Sequence, residues 1–152
     1  MKLNPDCMRD ILFYLEEHLS ISEELEFEEI SMYALAQHLD YPIQELANTL
    51  VILTEAGYII SIRNDNDDRI ADLDVYRITY DGYQFIETIR PEPVWAKVKS
   101  TGKHIGSFSI DVITRVATTV LTSMINGYLP SALNLLSCFS LQNRCTLSSL
   151  LY

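Results

Sequence analysis

Residues 31–62 read SMYALAQHLDYPIQELANTLVILTEAGYIISI, and this stretch decides the fold. Ser31 is a good N-cap for a short helix, and Pro42 is favoured at the start of a longer helix after a brief turn. Gly57 supplies the left-handed residue at which the helix that begins at Pro42, the third of the chain, is expected to end. Residues 58–62 are mostly β-branched or aromatic and predict a strand. The side chains predicted to face inward are Leu35, Leu39, Ile43, Leu46, Leu50 and Leu53.

The flanking sequence completes a winged helix. Asn4 followed by Pro5 predicts the start of a first helix, because Asn accepts bonds from the free N–H groups and Pro suits the first turn. Residues 64–68 form a polar turn, and residues 73–78 supply a returning strand. Thr79 is predicted to cap a fourth helix. The fold class is therefore mainly α with a small β-hairpin (α+β), a winged helix-turn-helix followed by C-terminal helices.

Composition divides the chain into three predicted regions. We expect a winged-helix domain over residues 1–90 and a C-terminal helical extension over residues 91–127 that serves packing or dimerisation. The remaining residues, 128–152, form an apolar tail rich in Ser and Leu with no clear period. We keep three alternatives for this region: a docked helix, a loosely ordered tail, or a segment under little structural selection.

The extension holds a short basic helix, expected to end near Gly102, and a longer helix over Ile110–Ile125. The apolar residues of the longer helix cover more than one stripe, which is typical of a helix buried within one subunit or against another chain. If a homodimer forms, the candidate self-association residues are Ile113, Val116, Val120 and Met124.

Charge is distributed very unevenly along the chain. Residues 1–90 carry 6 Lys and Arg against 19 Asp and Glu, a net charge of −13, whereas residues 91–152 carry 5 against 2. An acidic surface repels phosphate backbones and attracts basic proteins. The charge therefore limits which partners the predicted winged helix can bind.

DNA binding is the usual role of a winged helix, with the third helix in the major groove. That helix has no Lys or Arg, although affinity for duplex DNA comes mainly from neutralising phosphates. Gln44 and Asn48 could still read adenine edges. The candidate recognition-helix residues are Gln44, Glu45, Asn48, Thr49 and Ile52. The candidate wing residues are Arg63, Asn64, Asn66 and Arg69.

A protein partner is the favoured interpretation, and DNA is the disfavoured one. The acidic connector Ser20–Glu29, in which Leu25, Phe27 and Ile30 predict a short strand, would lie on a protein-binding face. The candidate residues of that face are Glu16, Glu17, Glu23, Glu24, Glu26, Glu28 and Glu29. In this hypothesis the module regulates by binding a protein, and the alternative is a dimeric DNA-binding transcription regulator.

Catalytic and metal-binding motifs are absent from the sequence. It has no nucleophile elbow, glycine-rich phosphate loop or repeated Cys/His pair, so we expect no enzyme activity, no cofactor and no metal. The three cysteines form no even set, which favours a reduced, cytoplasmic setting. Residues 116–143 carry no charge, but polar residues interrupt them, so we expect no membrane span.

Four segments together resemble a family of short phage and prophage winged-helix proteins of unknown function. They are Lys2–Leu12, Leu53–Ile59, Ile78–Ile86 and Gly106–Val112, and the resemblance extends over residues 1–127. It implies a winged-helix fold and a mobile-element origin, in a bacterial host cell. The resemblance implies no particular activity and identifies no catalytic residue.

Overall fold

In the computed structural model, residues 2–66 and 69–128 are described, apart from the side chains of residues 64–66 and 69–71. The helices are α1 (Pro5–His18), α2 (Met32–His38), α3 (Ile43–Glu55), α4 (Tyr80–Ile89), α5 (Glu92–Ile105) and α6 (Ile110–Tyr128). The strands are β1 (Ser20–Ile21), β2 (Phe27–Glu28), β3 (Ile30–Ser31), β4 (Ile59–Asn66) and β5 (Arg69–Ile78).

The strands form two antiparallel sheets. One sheet has the order β3-β5-β4, in which β5 lies between the short β3 and the long wing strand β4. The other is the two-stranded ribbon β1-β2. The elements α1, β3, α2, α3, β4 and β5 follow one another in the order of a winged helix, and α4, α5 and α6 come after them. The predicted fold class is thus confirmed.

Three side-chain caps fix where the helices begin, as predicted. Asn4 Oδ1 accepts from the backbone N–H of Asp6 at 3.0 Å. Ser31 Oγ accepts from Ala34 at 3.2 Å, and Thr79 Oγ1 accepts from Gly82 at 3.0 Å. Each cap satisfies a donor that has no partner inside its own helix.

A single apolar core connects the winged helix with the C-terminal helices. α1 contributes five buried side chains, and α3 packs its leucines beside them. Trp95 of α5 and Ile113 of α6 belong to the same cluster and are buried almost completely. The other α1, α3 and α5–α6 members include Cys7, Met8, Ile11, Leu12, Leu15, Leu46, Leu50, Leu53, Val94, Val98 and Ala117.

The prediction that the basic helix ends near Gly102 is wrong. α5 continues to Ile105 and ends at Gly106, whose φ of 76° gives the left-handed cap. Gly102 instead lies buried inside α5, where the ring of Phe108 packs against it in space that a Cβ would fill. α6 also extends beyond Ile125, where it was predicted to end, and reaches Tyr128.

The connector between α1 and α2 differs from its prediction. Leu25 lies in a turn, and Phe27 and Ile30 belong to separate two-residue strands, β2 and β3. A strand of two residues is too short to show the alternation of apolar and polar residues by which strands are recognised in a sequence.

The apolar tail expected after residue 127 lies almost entirely outside the described residues, which stop at 128. Within residues 2–66 and 69–128, no helix is long and apolar enough to cross a membrane. The uncharged stretch that continues to residue 143 reaches beyond that range.

We predict that Gly82→Ala lowers the free energy of unfolding by about 1–3 kcal/mol, the usual cost of overpacking. A Cβ at Gly82 would meet the backbone carbonyl of Tyr58 and the side chain of Ile78, and the carbonyl cannot rotate away. Gly127→Ala is the matched control, because nothing lies within 4 Å of its position. Urea unfolding followed by circular dichroism measures both, and equal midpoints would contradict the packing at Gly82.

Candidate macromolecule-binding surfaces

The outward face of α3 is polar and carries no cation. Gln44 and Glu55 are exposed and Asn48 is half-buried, so two amides and a carboxylate line this face. Amides can recognise base edges, but a carboxylate repels phosphates. The face therefore has amides that could hydrogen-bond to base edges, but it lacks the cations with which a DNA-binding helix contacts phosphates.

Thr49 does not face outward, and its predicted place in the recognition helix is wrong. Its side chain is fully buried, donates to the carbonyl of Glu45 at 2.8 Å and lies 3.7 Å from Cys7 Sγ. It is three residues after Leu46 and four before Leu53, so it lies on the same inward stripe.

Two other predicted recognition residues are half-buried and lie against other parts of the chain. Glu45 Oε1 accepts from Asn4 Nδ2 at 2.6 Å, which ties α3 to the start of α1. Ile52 is half-buried and lines a cleft next to the turn between α5 and α6. The predicted set is therefore divided among an outward face, the core and this cleft.

The wing is present as the β4–β5 hairpin, and Arg63 is exposed on β4. Asn64 pairs in register with Asp72, and Asn66 pairs with Arg69. The side chains of Asn64, Asn66 and Arg69 lie outside the described part of the structure, as do residues 67 and 68. Their contribution to binding stays a prediction.

The β1-β2 ribbon concentrates exposed glutamates around exposed apolar side chains. Ile21 pairs with Phe27 across the two strands, so their side chains share one face, and 57% and 50% of them are exposed. Leu25, in the turn, is 83% exposed. The exposed glutamates of this segment are Glu23, Glu24, Glu26, Glu28 and Glu29. We call these eight residues the acidic ribbon.

Leu25 also has an unusual backbone. Its φ is 64°, in the left-handed region that side-chain-bearing residues rarely occupy. Bonds between Ser22 and Glu26, and from the N–H of Leu25 to the carbonyl of Ser22, hold the turn in this form. Such a conformation costs about 1–2 kcal/mol in a residue other than glycine.

Glu16 and Glu17 differ from the ribbon glutamates. Arg90 Nη2 donates to both carboxylate oxygens of Glu16, at 2.7 and 2.8 Å, and so links α1 to the end of α4. Hydrogen bonds to Glu16 and Glu87 raise the pKa of Arg90 above its usual value. Glu17 is exposed on α1. Within the predicted acidic face, Glu16 bonds to Arg90, Glu28 accepts from Ser20 Oγ, and Glu29 accepts from the hydroxyl of Tyr76.

Sequence reasoning missed Ile21, Leu25 and Phe27 as surface residues. Apolar residues usually indicate a core, and only their position inside a glutamate-rich segment signalled a different use. Lys2 and Phe108, which line the same cleft as Ile52, were also missed because residues far apart in sequence build that cleft.

Cys7, His18 and His38 have side chains that can act as nucleophiles or bases in enzymes, but here they make contacts within the fold. Cys7 is fully buried, and burial raises the pKa of its thiol to about 11. His18 and His38 each donate from Nδ1 to a carbonyl of their own helix, at 2.9 Å. Across the described ranges, no group of three His, Cys, Asp or Glu side chains could hold a metal ion.

A family model described as "Hypothetical protein (DUF2513)" matches residues 2–109. The chain belongs to this family. The prediction of a family of unknown function is confirmed, and its phage and prophage origin stays a prediction. The match covers the winged helix and α5 and stops before α6.

The other comparisons add little to the family assignment. The DUF2513 chain is similar to the crystal structure of a MarR transcriptional regulator from Methanosarcina mazei Go1, with 15% identity and a TM-score of 0.38. That likeness covers 80% of this chain and 76% of the other, and at this score it carries no argument. No curated protein matches the sequence.

The self-association residues predicted on α6 have different surroundings. Ile113 is fully buried in the core of its own chain, so its predicted contact with a second chain is wrong. Val116, Val120 and Met124 are half-buried and pack along the edge of that core. Beyond Ala117, no residue of α6 as far as Tyr128 is fully buried.

We predict that the Cys7 thiol of a Cys138→Ser/Cys145→Ser variant reacts with a disulfide reagent at pH 8 at least about a thousandfold more slowly when folded than in denaturant. Because its pKa is raised from 9.0, the thiol stabilises the fold fully below pH 9 and loses that contribution as pH rises through 11. Equal rates would contradict the burial of Cys7.

We predict that the chain self-associates at micromolar concentration through the half-buried edge of α6. Met124→Glu should shift sedimentation towards the monomer, because a charge placed in an apolar interface is strongly unfavourable. Ser123→Glu, on an exposed neighbouring position, should leave the sedimentation unchanged. A monomeric wild-type chain at that concentration would be inconsistent with this interface.

Proposed function

We propose that this chain is a non-enzymatic regulatory protein of phage or prophage type, which acts in the cytoplasm by binding a basic surface on another protein. The observation that carries the proposal is the acidic ribbon, where three exposed apolar side chains lie among five exposed glutamates. Protein interfaces commonly have an apolar centre and a polar rim, and complementary charge speeds the encounter and selects the partner.

The conformation of Leu25 supports this role. Backbone hydrogen bonds hold the turn, but a leucine side chain that is 83% exposed buries little apolar surface in return for its positive φ. Strained backbone conformations cluster at functional sites. Contact with a partner would bury Leu25 beside Ile21 and Phe27, which adds apolar burial to the hydrogen bonds that hold the turn.

The charge of the winged helix favours the same class of partner. Residues 1–90 carry a net charge of −13, and α3 has no Lys or Arg to neutralise phosphates. The alternative function, a dimeric DNA-binding transcription regulator, is favoured by the winged-helix fold and by Gln44 and Asn48 on the outward face of α3. It would need cations from Lys97, Lys99, Lys103 and Arg115 in a dimer, and Lys99 already pairs with Asp6 at 3.3 Å.

We predict that the wild-type chain captures a basic protein from host or phage extract and that two ribbon variants do not. Leu25→Ser/Phe27→Ser removes the apolar centre, and Glu23→Gln/Glu24→Gln/Glu26→Gln removes three rim charges. With the purified partner, each variant should raise Kd by at least about tenfold, the effect of losing one moderate hot spot. Only the charge variant should weaken the salt dependence of binding.

The matched control is Asp40→Asn/Asp81→Asn/Asp111→Asn, which removes the same charge from exposed positions outside the ribbon. It should keep the wild-type affinity. Fluorescence anisotropy with a pool of duplex DNA at physiological salt tests the alternative. Tight, sequence-selective DNA binding, or equal loss of the protein partner in the control, would overturn the proposal.

A further inference from the structure

A cleft of about 830 Å³ lies where the end of α3 meets the turn between α5 and α6. Its walls come from three parts of the chain: Leu3 before α1, Ile52 near the end of α3, and Phe108 and Ile110 at the α5–α6 turn. These are aliphatic or aromatic side chains, and pockets of this size are typical of small-molecule sites. The cleft is distinct from the acidic ribbon, which occupies β1 and β2.

The shape of the wall depends on Gly102. This glycine is in the interior of α5, where it costs about 1 kcal/mol relative to alanine. Because Gly102 has no Cβ, the ring of Phe108 lies directly against the helix. The chain following α5 is thereby held as an apolar wall of the cleft, with the N–H of Ser107 donating to the carbonyl of Gly102 at 3.1 Å.

Two lysines give the cleft a charge preference. Lys2 and Lys103 line it, and neither ammonium forms an ion pair with a carboxylate in the described part of the chain. Glu55 is the one acidic side chain of the lining, so the rim carries one net positive charge. This is opposite in sign to the winged helix as a whole, which attracts cations.

We propose that this cleft binds a small molecule with an apolar, ring-sized body and a single anionic group. The body lies against Ile52 and Phe108, and the anion lies between Lys2 and Lys103. Because Ile52 is in the last turns of α3, an occupant would touch the helix that also presents Gln44 and Asn48. The inference is independent of the proposed protein partner.

The test uses the full chain and two related fluorescent probes. One is 8-anilinonaphthalene-1-sulfonate, an apolar aromatic anion, and the other is N-phenyl-1-naphthylamine, its uncharged parent. We expect one saturable site per chain. Lys2→Gln and Lys103→Gln should each raise Kd for the anion about fivefold, as expected for unit charges about 4 Å apart in water. Binding of the uncharged probe should change less than twofold.

Ala56→Trp tests the location, because Ala56 is an exposed residue of the lining and the indole would occupy part of the cleft. Both probes should bind this variant at least tenfold more weakly. The controls are Ala96→Trp and Lys97→Gln, exposed positions on α5 outside the lining, which should behave as wild type. Thermal melting checks that every variant is folded.

Three results would overturn the proposal. The first is the absence of saturable binding of either probe to the full chain, which is also expected if another segment or a second copy fills the cleft. The second is equal affinity for the anion in the lysine variants and Lys97→Gln. The third is unchanged binding in Ala56→Trp, which would place the probes on another surface.

Discussion

The structure depends on the burial of one whole face of α1. Five of its side chains, Cys7, Met8, Ile11, Leu12 and Leu15, have no solvent exposure. α3, α4 and β5 all pack against this helix. Burial of a single leucine-sized side chain stabilises a fold by about 1.5–3 kcal/mol, so this one face is comparable in scale to the net stability of an ordinary domain.

The polar flank of α1 anchors the C-terminal helices. Trp95 donates from Nε1 to Asp6 at 3.1 Å, while the guanidinium of Arg9 stacks over the rings of Phe13 and Trp95. The same guanidinium donates to the carbonyl of Arg90 at 2.9 Å and to Glu92. α5 is therefore attached to α1 by stacking and charge-assisted bonds as well as by apolar contact. α5 also contributes Gly102 and Lys103 to the lining of the cleft beside α3.

The sequence was most informative where a local interaction decides the structure. Asn4, Ser31 and Thr79 cap their helices as expected, because a cap needs only residues two or three positions away. Gly102 was misinterpreted because the Phe108 ring that explains it packs there only in the folded chain. Thr49 was misplaced because a polar side chain usually faces solvent, whereas its hydroxyl is buried and bonds to the carbonyl of Glu45 within the same helix. The paired ribbon strands and the cleft depend on contacts between separated segments, which no local pattern encodes.

Leu25 has a consequence for how sequences of this kind vary. Its positive φ would be relaxed by glycine, which adopts that conformation without a Cβ penalty. Glycine at this turn would therefore be expected to give a more stable fold than leucine does. If the ribbon binds as proposed, homologues that use the same contact would carry leucine or another large apolar residue at this turn. Homologues with glycine there would have a more stable turn and no apolar centre in the ribbon.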